Sequence, residues 1–253
     1  MINASAYLER IGLGGTQVSA DVEMLRKLQY RHLLSVPFEN LDIHRNHSII
    51  LNTARFYDKI VGDKRGGFCY ELNGLFNELL CDLGFTTRLV SARVFNGTGF
   101  GPEFDHAAVI VTVDGQEYLA DVGFGDFAAE PLRLTADIEQ QDREGVFIVR
   151  QAGPDTLEIV KRHEDGIRPQ YVFSPVRRDL TEFAEMCDFQ QYSPESHFTK
   201  GKVCSILTET GRKTLTDKKF IVKTNGEKTE TEVGSADDFD RLLNDEFGIR
   251  PLQ

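Results

Sequence analysis

The sequence has few cysteines and lacks the patterns of a secreted or membrane-bound protein. Its four cysteines, Cys69, Cys81, Cys187 and Cys204, lie far apart and form no Cys-x-x-Cys pair, so we expect reduced thiols rather than a disulfide framework. No stretch approaches the roughly 20 consecutive apolar residues that a membrane-spanning helix needs. The residues after Met1 show neither the basic segment nor the apolar run of a signal peptide, which predicts a cytoplasmic location.

An excess of positive charge is also absent. The chain carries 29 Lys and Arg against 40 Asp and Glu, which gives a formal net charge of −11 at pH 7. Such a field repels phosphate backbones and anionic lipid surfaces, so we expect neither nucleic acid nor a membrane among the partners. An anionic ligand would have to be held by a local patch of cations or by backbone N–H groups.

The composition is that of a folded globular protein. Hydrophobic residues make up 40% and charged residues 27% of the 253 positions, and no repeat or low-complexity tract interrupts them. We therefore expect one large domain, or a few lobes that share a core.

Hydrophobic spacing divides the chain into three parts. Residues 1–86 carry apolar side chains at helical spacing, and from residue 87 the period changes to two, which is typical of strands. The tail, 196–253, mixes short strands with a closing helix. The pattern predicts an α+β fold with a helical lobe (1–86), a β-rich lobe (87–195), either barrel or sandwich, and an α/β lid (196–253).

One cysteine stands in a setting that suits a nucleophile. Gly66 and Gly67 precede Cys69, which opens a predicted helix. Free N–H groups and the helix dipole at such a position stabilise a thiolate, and the glycines would let a substrate approach the backbone closely. The alternative is that Cys69 is a small buried hydrophobic side chain. We expect Arg65 to pair with Glu39 or another carboxylate beneath this loop.

A predicted hairpin brings a histidine and an aspartate together. If the turn at 114–115 has two residues, Val113 faces Gln116, and Ala108 then faces Asp121. His106 projects from the same face as Ala108, so its imidazole can reach the Asp121 carboxylate, which is costly to bury without a partner. A three-residue loop would put the two side chains on opposite faces. The alternatives are a core histidine and a strand-end aspartate.

A cysteine, a histidine and a carboxylate are the groups of covalent acyl chemistry. The histidine takes the thiol proton, and the carboxylate fixes the tautomer of the imidazole. The sequence alone leaves open whether Cys69 meets His106 and Asp121.

These residues resemble the arylamine N-acetyltransferases, a family of acetyl-CoA-dependent enzymes with a Cys-His-Asp triad. The resemblance spans nearly the whole chain, and the block around Cys69 is its most specific part. The matching segments are 7–11, His32, 36–41, 65–76, 104–106 and 121–125, with 193–198 a weaker match.

The resemblance implies a function and a fold. Cys69, His106 and Asp121 would form the triad, in a helical lobe, a β-barrel lobe and an α/β lid with a cysteine-protease-like catalytic core. Acetyl-CoA would acetylate Cys69, which would then acetylate arylamines or arylhydrazines on nitrogen, or arylhydroxylamines on oxygen, in a ping-pong cycle without a metal. The alternative is another cysteine acyl-transfer enzyme: an amide synthase, a transglutaminase-like enzyme or a papain-like hydrolase.

Weaker signals concern the ligands. By the same resemblance, Phe38, Phe124 and Phe198 wall the acceptor site. Phe124 lies between two glycines, where the backbone can bend toward a ligand and the ring can stack on an aromatic amine. Gly125 is a candidate for backbone contact with the phosphates of the coenzyme. The alternatives are core packing for the rings and a simple turn for Gly125.

Overall fold

The computed structural model describes residues 2–250. These residues contain seven α-helices, of which α2 and α5 have 14 residues each. The helices are α1 (Ala4–Arg10), α2 (Val22–Ser35), α3 (Leu41–His44), α4 (Thr53–Tyr57), α5 (Cys69–Asp82), α6 (Ala184–Tyr192) and α7 (Ala236–Phe247). Shorter helical turns follow α4 (Asp58–Gly62, a π-helical turn), precede α6 (Leu180–Phe183) and follow it (His197–Thr199). None of the helices within residues 2–250 is both long enough and apolar enough to cross a membrane.

Thirteen strands within residues 2–250 form two antiparallel sheets. The strands are β1 (Phe38–Glu39), β2 (Thr86–Val94), β3 (His106–Val113), β4 (Gln116–Ala120), β5 (Leu132–Arg133), β6 (Glu139–Asp142), β7 (Gly145–Gly153), β8 (Thr156–His163), β9 (Gly166–Phe173), β10 (Val203–Thr208), β11 (Gly211–Thr216), β12 (Lys219–Thr224) and β13 (Glu227–Glu232). The larger sheet has the order β5-β4-β3-β2-β9-β8-β7-β6, and the smaller one β1-β10-β11-β12-β13.

The larger sheet curls into a nearly closed barrel. Ala136, just after β5, forms a parallel bridge with Val149 of β7, and the N–H of Asp137 donates to the Val149 carbonyl at 2.7 Å. The two ends of the strand order therefore approach each other, which decides the question between barrel and sandwich.

The central strands of this barrel are buried on both faces. Ala107, Val109 and Val111 of β3 belong to the core shared with the helices, whereas Ala108 and Ile110 belong to the barrel interior. Because successive side chains of a strand point to opposite faces, β3 reads as a continuous apolar run. Helix α5 packs against β2 and β3, and this contact places the start of α5 at the edge of the barrel.

The smaller sheet contains segments from the N-terminal third and from the C-terminal part of the chain. Strand β1 pairs with β10, where Phe38 faces Ser205. Helix α7 covers the sheet through Phe239 and Leu243, which cluster with Leu215 of β11. The C-terminal sheet is thus anchored on a strand that comes from the N-terminal third of the chain.

The α+β class predicted from the sequence is confirmed. The two-residue turn is also present: Val113 pairs with Gln116, and Val109 with Ala120. Six strands were missed: β1, β5 and β6, which have two to four residues, and β9, β11 and β13, which have six to eight. Hydrophobic spacing also predicts a helix at 180–189; this segment is a 3₁₀ turn (Leu180–Phe183) that continues into α6, which ends at Tyr192.

Candidate active site

The side chain of Cys69 is held at the first turn of α5. Phe68 precedes it with an extended backbone, and the Phe68 N–H donates to Oε2 of Glu71 at 3.1 Å, which fixes the start of the helix. Cys69 is 4% exposed. Burial raises the pKa of its thiol well above the ordinary value, and the backbone N–H of Ala107 lowers it in part. A thiolate at this position therefore requires a proton acceptor next to it.

The space beside the two glycines before Cys69 is occupied by other parts of the chain. A β-carbon on Gly66 would lie 1.9 Å from the carbonyl oxygen of Pro37, and one on Gly67 would lie 2.8 Å from the side chain of Glu71. The space beside both residues is filled, so the expectation that they open the backbone to a substrate is wrong. They allow the cysteine loop to pack closely against the segment that contains β1.

A buried cluster of charges lies beneath the cysteine loop. The guanidinium of Arg65 donates to Oε1 of Glu39 at 2.6 Å and to Oδ1 of Asp42 at 2.8 Å, which confirms the pairing expected for Arg65. Nζ of Lys59 lies 2.7 Å from Asp42 and 2.9 Å from Glu71. Burial raises the pKa of Glu71 although Lys59 opposes the shift, whereas Lys59 and Arg65 hold the pKa of Asp42 below its ordinary value against its own burial.

His106 and Asp121 form the hydrogen bond expected from the hairpin register. His106 is the first residue of β3, and Asp121 follows the last residue of β4. Nε2 of His106 lies 2.7 Å from Oδ2 of Asp121, and the two residues are 3% and 1% exposed. Because Nε2 bonds to Asp121, Nδ1 is the imidazole nitrogen that can exchange a proton with another group.

Asp121 accepts three further hydrogen bonds. The hydroxyl of Tyr171 donates to Oδ2 at 3.0 Å, and Oδ1 accepts from Nδ2 of Asn73 at 2.8 Å and from the N–H of Gly123 at 2.9 Å. Burial by itself would raise the pKa of Asp121, but His106 and the hydrogen bonds from Asn73 and Gly123 hold it below the ordinary value. The carboxylate is therefore ionised and fixed in place.

Sequence reasoning missed the roles of Asn73 and Tyr171. Asn73 lies one helical turn after Cys69 on the same face of α5, and a buried amide among apolar residues needs a partner, so this signal was present. Tyr171 belongs to β9, which reaches the site by pairing with β2, and no local pattern indicates that pairing.

The chain segments that carry the three predicted catalytic residues meet at one point. A β-carbon on Gly123 would lie 2.8 Å from Cα of Cys69, so the segment after Asp121 packs on the start of α5. The amide of Asn73 donates to the carbonyl of Ala107 at 2.6 Å, which ties α5 to the residue after His106. The segments of Cys69, His106 and Asp121 are thus held together by these contacts, and the hydrogen bond between His106 and Asp121 joins the side chains of the last two.

An open cleft of about 610 Å³ contains the predicted ligand residues. Phe38, Phe124, Phe198 and Gly125 all line it, and the three rings are partly exposed rather than part of a closed core. The ring centroid of Phe124 lies 5.1 Å from that of His106, so this wall of the cleft packs against the histidine. Gly125 has φ 94°, a left-handed conformation that favours glycine.

A buried amide holds the loop that carries Phe198. Nδ2 of Asn40 donates to the carbonyl oxygens of Phe198 and Gly201, each at 2.9 Å, and Oδ1 of Asn40 accepts from the N–H of Val203 at 2.8 Å. Asn40 therefore fixes one aromatic wall of the cleft. Its role was not predicted, although it lies in a segment, 36–41, that carries the family resemblance.

The arrangement agrees with comparisons to known proteins. A family model described as N-acetyltransferase matches residues 21–252. The arylamine N-acetyltransferase of Gallus gallus called pineal gland isozyme NAT-10 is 31% identical over 273 residues, which cover 98% of this chain and 94% of the relative. The arylamine N-acetyltransferase / N-hydroxyarylamine O-acetyltransferase of Salmonella typhimurium is 33% identical over 232 residues, covering 90% and 82%.

Solved structures give the same result. The arylamine N-acetyltransferase structure from Salmonella typhimurium has a TM-score of 0.92 at 30% identity and covers 98% of this chain and 92% of that one. The Mycobacterium marinum arylamine N-acetyltransferase in complex with CoA has a TM-score of 0.88 at 28% identity, covering 98% and 93%. With its family model matched over most of its length, the chain belongs to the arylamine N-acetyltransferase family of acyltransferases.

Proposed function

We propose that this chain transfers acetyl groups from acetyl-CoA to arylamines and arylhydrazines on nitrogen, and to arylhydroxylamines on oxygen, through an acetyl group carried on Cys69. The observation that carries the proposal is the buried 2.7 Å hydrogen bond between His106 and Asp121, which lies behind Phe124 of the cleft wall and beside the helix that begins at Cys69. The Salmonella relative's name, which includes both N- and O-acetylation, and the Mycobacterium marinum complex with CoA support the choice of donor and acceptors.

In the first half of the proposed cycle, His106 takes the proton of the Cys69 thiol. The thiolate attacks the thioester carbon of acetyl-CoA, a new S–C bond forms, and the bond to the CoA sulfur breaks. The imidazolium returns the proton to the departing CoA thiolate, so free CoA leaves and acetyl-Cys69 remains. Because burial raises the pKa of the Cys69 thiol, this step depends on His106.

In the second half, the amine of the acceptor attacks the acetyl-Cys69 thioester. An N–C bond forms, the S–C bond breaks, and His106 takes the proton that the nitrogen loses. Asp121 keeps the ring oriented and stabilises the imidazolium by its negative charge. The proton passes back to Cys69, and the site returns to its starting state.

The cleft supplies the acceptor site in this proposal. Phe38, Phe124 and Phe198 present ring faces and edges on which a flat aromatic amine can stack, and Gly125 offers its backbone to the coenzyme. The three lobes keep the boundaries 1–86, 87–195 and 196–253: the first supplies the cysteine, the second the histidine and aspartate, and the third closes the cleft.

The test is the mass of the intact protein after brief exposure to acetyl-CoA without an acceptor, followed by peptide mapping. The proposal requires one acetyl group on Cys69 that is discharged when an arylamine is added, and no adduct in the Cys69→Ala variant. A stable adduct that amines do not discharge would contradict the proposal. Hydrolysis of peptides without CoA, or cross-linking of glutamine side chains, would instead indicate a papain-like or a transglutaminase-like enzyme.

A further inference from the structure

The loop that leads into His106 contains a strained residue. Phe104 lies two residues before His106, at the end of the loop between β2 and β3, and its φ is 65°. A left-handed backbone is costly for a residue with a β-carbon, and for a bulky aromatic residue it persists only where neighbouring groups hold it. The groups that hold Phe104 therefore also set the position of His106.

Tyr70, the residue after Cys69, is one of these groups. Its side chain is fully buried, and its hydroxyl donates to the carbonyl oxygen of Phe104 at 2.8 Å and lies 3.4 Å from that of Asp105. Burial raises the pKa of this phenol, so the hydroxyl is neutral and keeps the proton that it donates. The first turn of α5 is thereby bonded to the residues that immediately precede His106.

Helix α5 holds the chain on both sides of His106. Tyr70 and Asn73 are three residues apart, so they lie on the same face of the helix. The hydroxyl of Tyr70 bonds to the chain just before His106. The amide of Asn73 donates at 2.6 Å to the carbonyl of Ala107, just after His106. His106 is therefore flanked by contacts from two side chains of the helix whose first residue is Cys69.

Two further side chains fix the same segment from outside α5. Oγ of Ser91, a buried residue of β2, accepts from the N–H of Phe104 at 2.7 Å. Nε2 of Gln190 in α6 donates to Oδ1 of Asp105 at 2.7 Å. Phe104 and Asp105 lie outside the strands, so these side chains supply the hydrogen bonds that a strand partner would otherwise supply.

We propose that Tyr70 is a positioning residue, whose hydroxyl fixes the distance and orientation of His106 relative to Cys69. The inference rests on the proposed function, because it assumes that His106 takes the proton of the Cys69 thiol. Nε2 of His106 is bound to Asp121, so a displacement of the backbone at Phe104 rotates the ring about that bond and moves Nδ1. Proton transfer needs hydrogen-bond reach, so a small displacement has a large effect on the rate.

The alternative is that Tyr70 only fills the core. Its ring packs edge-on against Phe68, with ring centroids 4.9 Å apart, and its centroid lies 5.5 Å from that of Phe183. Tyr70→Phe keeps both ring contacts and removes only the hydroxyl. This substitution therefore separates the role of the hydrogen bond from that of the packing.

The pH dependence of Cys69 alkylation depends on the geometry around the thiol. The titratable groups that face this thiol are the imidazole of its proposed partner His106, the carboxylates of Asp105 and Asp121, the thiol of Cys187 in α6 and the phenol of Tyr70. Because the phenol is neutral, Tyr70→Phe removes no charge from this set. A shift of the alkylation profile in this variant would therefore come from a change in geometry.

The experiment compares Tyr70→Phe with the loss of another buried hydroxyl. Tyr7→Phe is the matched control, because Tyr7 is also fully buried and its hydroxyl bonds to Nδ1 of His32 at 3.0 Å, between α1 and α2. Ser91→Ala removes the acceptor of the Phe104 N–H and tests the same segment independently.

Three quantities are measured for each variant. They are the melting temperature, kcat and KM for acetyl transfer from acetyl-CoA to an arylamine, and the rate of Cys69 alkylation by iodoacetamide between pH 5 and pH 9.

We expect Tyr70→Phe to lower kcat and kcat/KM together, about tenfold, since the lost hydrogen bond acts on the chemistry and not on substrate binding. Alkylation of Cys69 should slow, and its profile should move to higher pH, because a displaced His106 stabilises the thiolate less. Ser91→Ala should change both quantities in the same direction. Tyr7→Phe should lower the melting temperature about as much as Tyr70→Phe but keep the original kcat and profile.

The proposal would be overturned if Tyr70→Phe kept the original kcat and alkylation profile, or if Tyr7→Phe showed the same kinetic loss. A higher KM at unchanged kcat in Tyr70→Phe would also overturn it, since the hydroxyl would then act on the substrate. If Tyr70→Phe does not fold, an unchanged kcat and profile in Ser91→Ala overturns the proposal.

Failure of the proposed function looks different, because the original protein itself would not transfer acetyl from acetyl-CoA to an arylamine. The alkylation profile needs no acetyl donor, so it tests the link between Tyr70 and His106 in either case.

Discussion

Gly123 lies directly against the backbone of Cys69. A β-carbon at position 123 would be 2.8 Å from Cα of Cys69 and 2.7 Å from Nδ2 of Asn73, and neither neighbour is the free end of a flexible chain. The N–H of Gly123 also donates to Oδ1 of Asp121. One glycine therefore sets the separation between the nucleophile's helix and the loop of the carboxylate.

Gly123→Ala should separate these two elements. An added methyl group in a packed interior lowers the free energy of unfolding by about 1–3 kcal/mol. Here it would also displace Cys69 and Asp121, which the proposed chemistry needs. We expect a lower melting temperature and a loss of acetyl transfer of about 100-fold or more. The measurements are thermal unfolding and the rate of arylamine acetylation.

The control for this variant is Gly99→Ala. Nothing lies within 4 Å of a β-carbon placed on Gly99, and its φ is not in the left-handed region. This variant should keep the stability and activity of the original protein. If Gly123→Ala behaved like Gly99→Ala, the close packing of the loop on α5 would have no functional consequence.

The sequence predicted the relationship between His106 and Asp121 because that relationship is local. A two-residue turn fixes the register of β3 and β4, and the side-chain period of two then decides which residues share a face. The residues next to Cys69 likewise predicted that it lies at the start of a helix. What no local pattern shows is how α5 packs on the barrel, and that contact is what joins Cys69 to the pair.

The three longer strands that escaped prediction, β9, β11 and β13, did so for different physical reasons. Strand β9 contains Pro169, which normally argues against a paired strand. Its partner β2 is distant in the chain, and a bulge between Ile159 and Val160 interrupts its pairing with β8. Every residue of β13 is exposed, so it has no hydrophobic alternation. Strand β11 alternates only weakly, and its charged Arg212 is the residue that turns out to be buried.

Asp121→Asn should have an effect on stability that depends on pH. The pKa of Asp121 is lowered in the folded protein, so the stability contributed by its ionised form is complete above the unfolded value of about 3.9 and is lost as the pH falls through the folded value. We expect the variant to be less stable than the original by about 1–3 kcal/mol at pH 7. The difference should narrow as the pH falls below about 4.

Denaturant unfolding between pH 7 and pH 2 measures this difference. Asp114→Asn is the matched control, because Asp114 is exposed in the hairpin turn at φ 49°, a conformation that asparagine tolerates well. It should show little difference at any pH. If the free energy of unfolding of Asp121→Asn differed from that of the original protein by the same amount at every pH, the carboxylate of Asp121 would not be held ionised by His106.

Lys59→Met should destabilise the charge cluster beneath the cysteine loop. Nζ of Lys59 contacts Asp42 and Glu71, and its removal leaves three buried carboxylates, these two and Glu39, with Arg65 as the remaining directly bonded cation. Breaking a buried ion pair by deleting one partner costs about 3–5 kcal/mol. Since Glu71 holds the N–H of Phe68, activity should fall together with stability.

The loss of stability caused by Lys59→Met should increase with pH. The pKa of Glu71 is already raised by burial, and removing Lys59 raises it further, so Glu71 destabilises the fold increasingly as the pH rises through its folded value. Unfolding measured at pH 5 and pH 8 tests this sign. Lys27→Met, at an exposed position of α2, is the control and should be nearly neutral at both values.

The four cysteines should differ sharply in their reaction with iodoacetamide at neutral pH. Cys69 is 4% exposed and Cys81 is exposed, so access alone would make Cys81 the faster. If His106 takes the thiol proton, Cys69 exists as a thiolate and should react first. Burial raises the pKa of Cys187 to about 12 and that of Cys204 well above its ordinary value, so both should stay unmodified.

Replacing the histidine isolates the cause of this reactivity. In His106→Gln, burial raises the pKa of the Cys69 thiol with no proton acceptor to offset it, and we expect its alkylation to slow about tenfold or more, to below the rate of Cys81. His47→Gln changes an exposed histidine in the same way and should leave the rate at Cys69 unchanged. Peptide mapping over a time course measures all four thiols in one sample, with Cys81 as the internal reference. Equal rates at Cys69 and Cys81 in the original protein, or a Cys69 rate indifferent to His106→Gln, would show that the thiol is not activated by the imidazole.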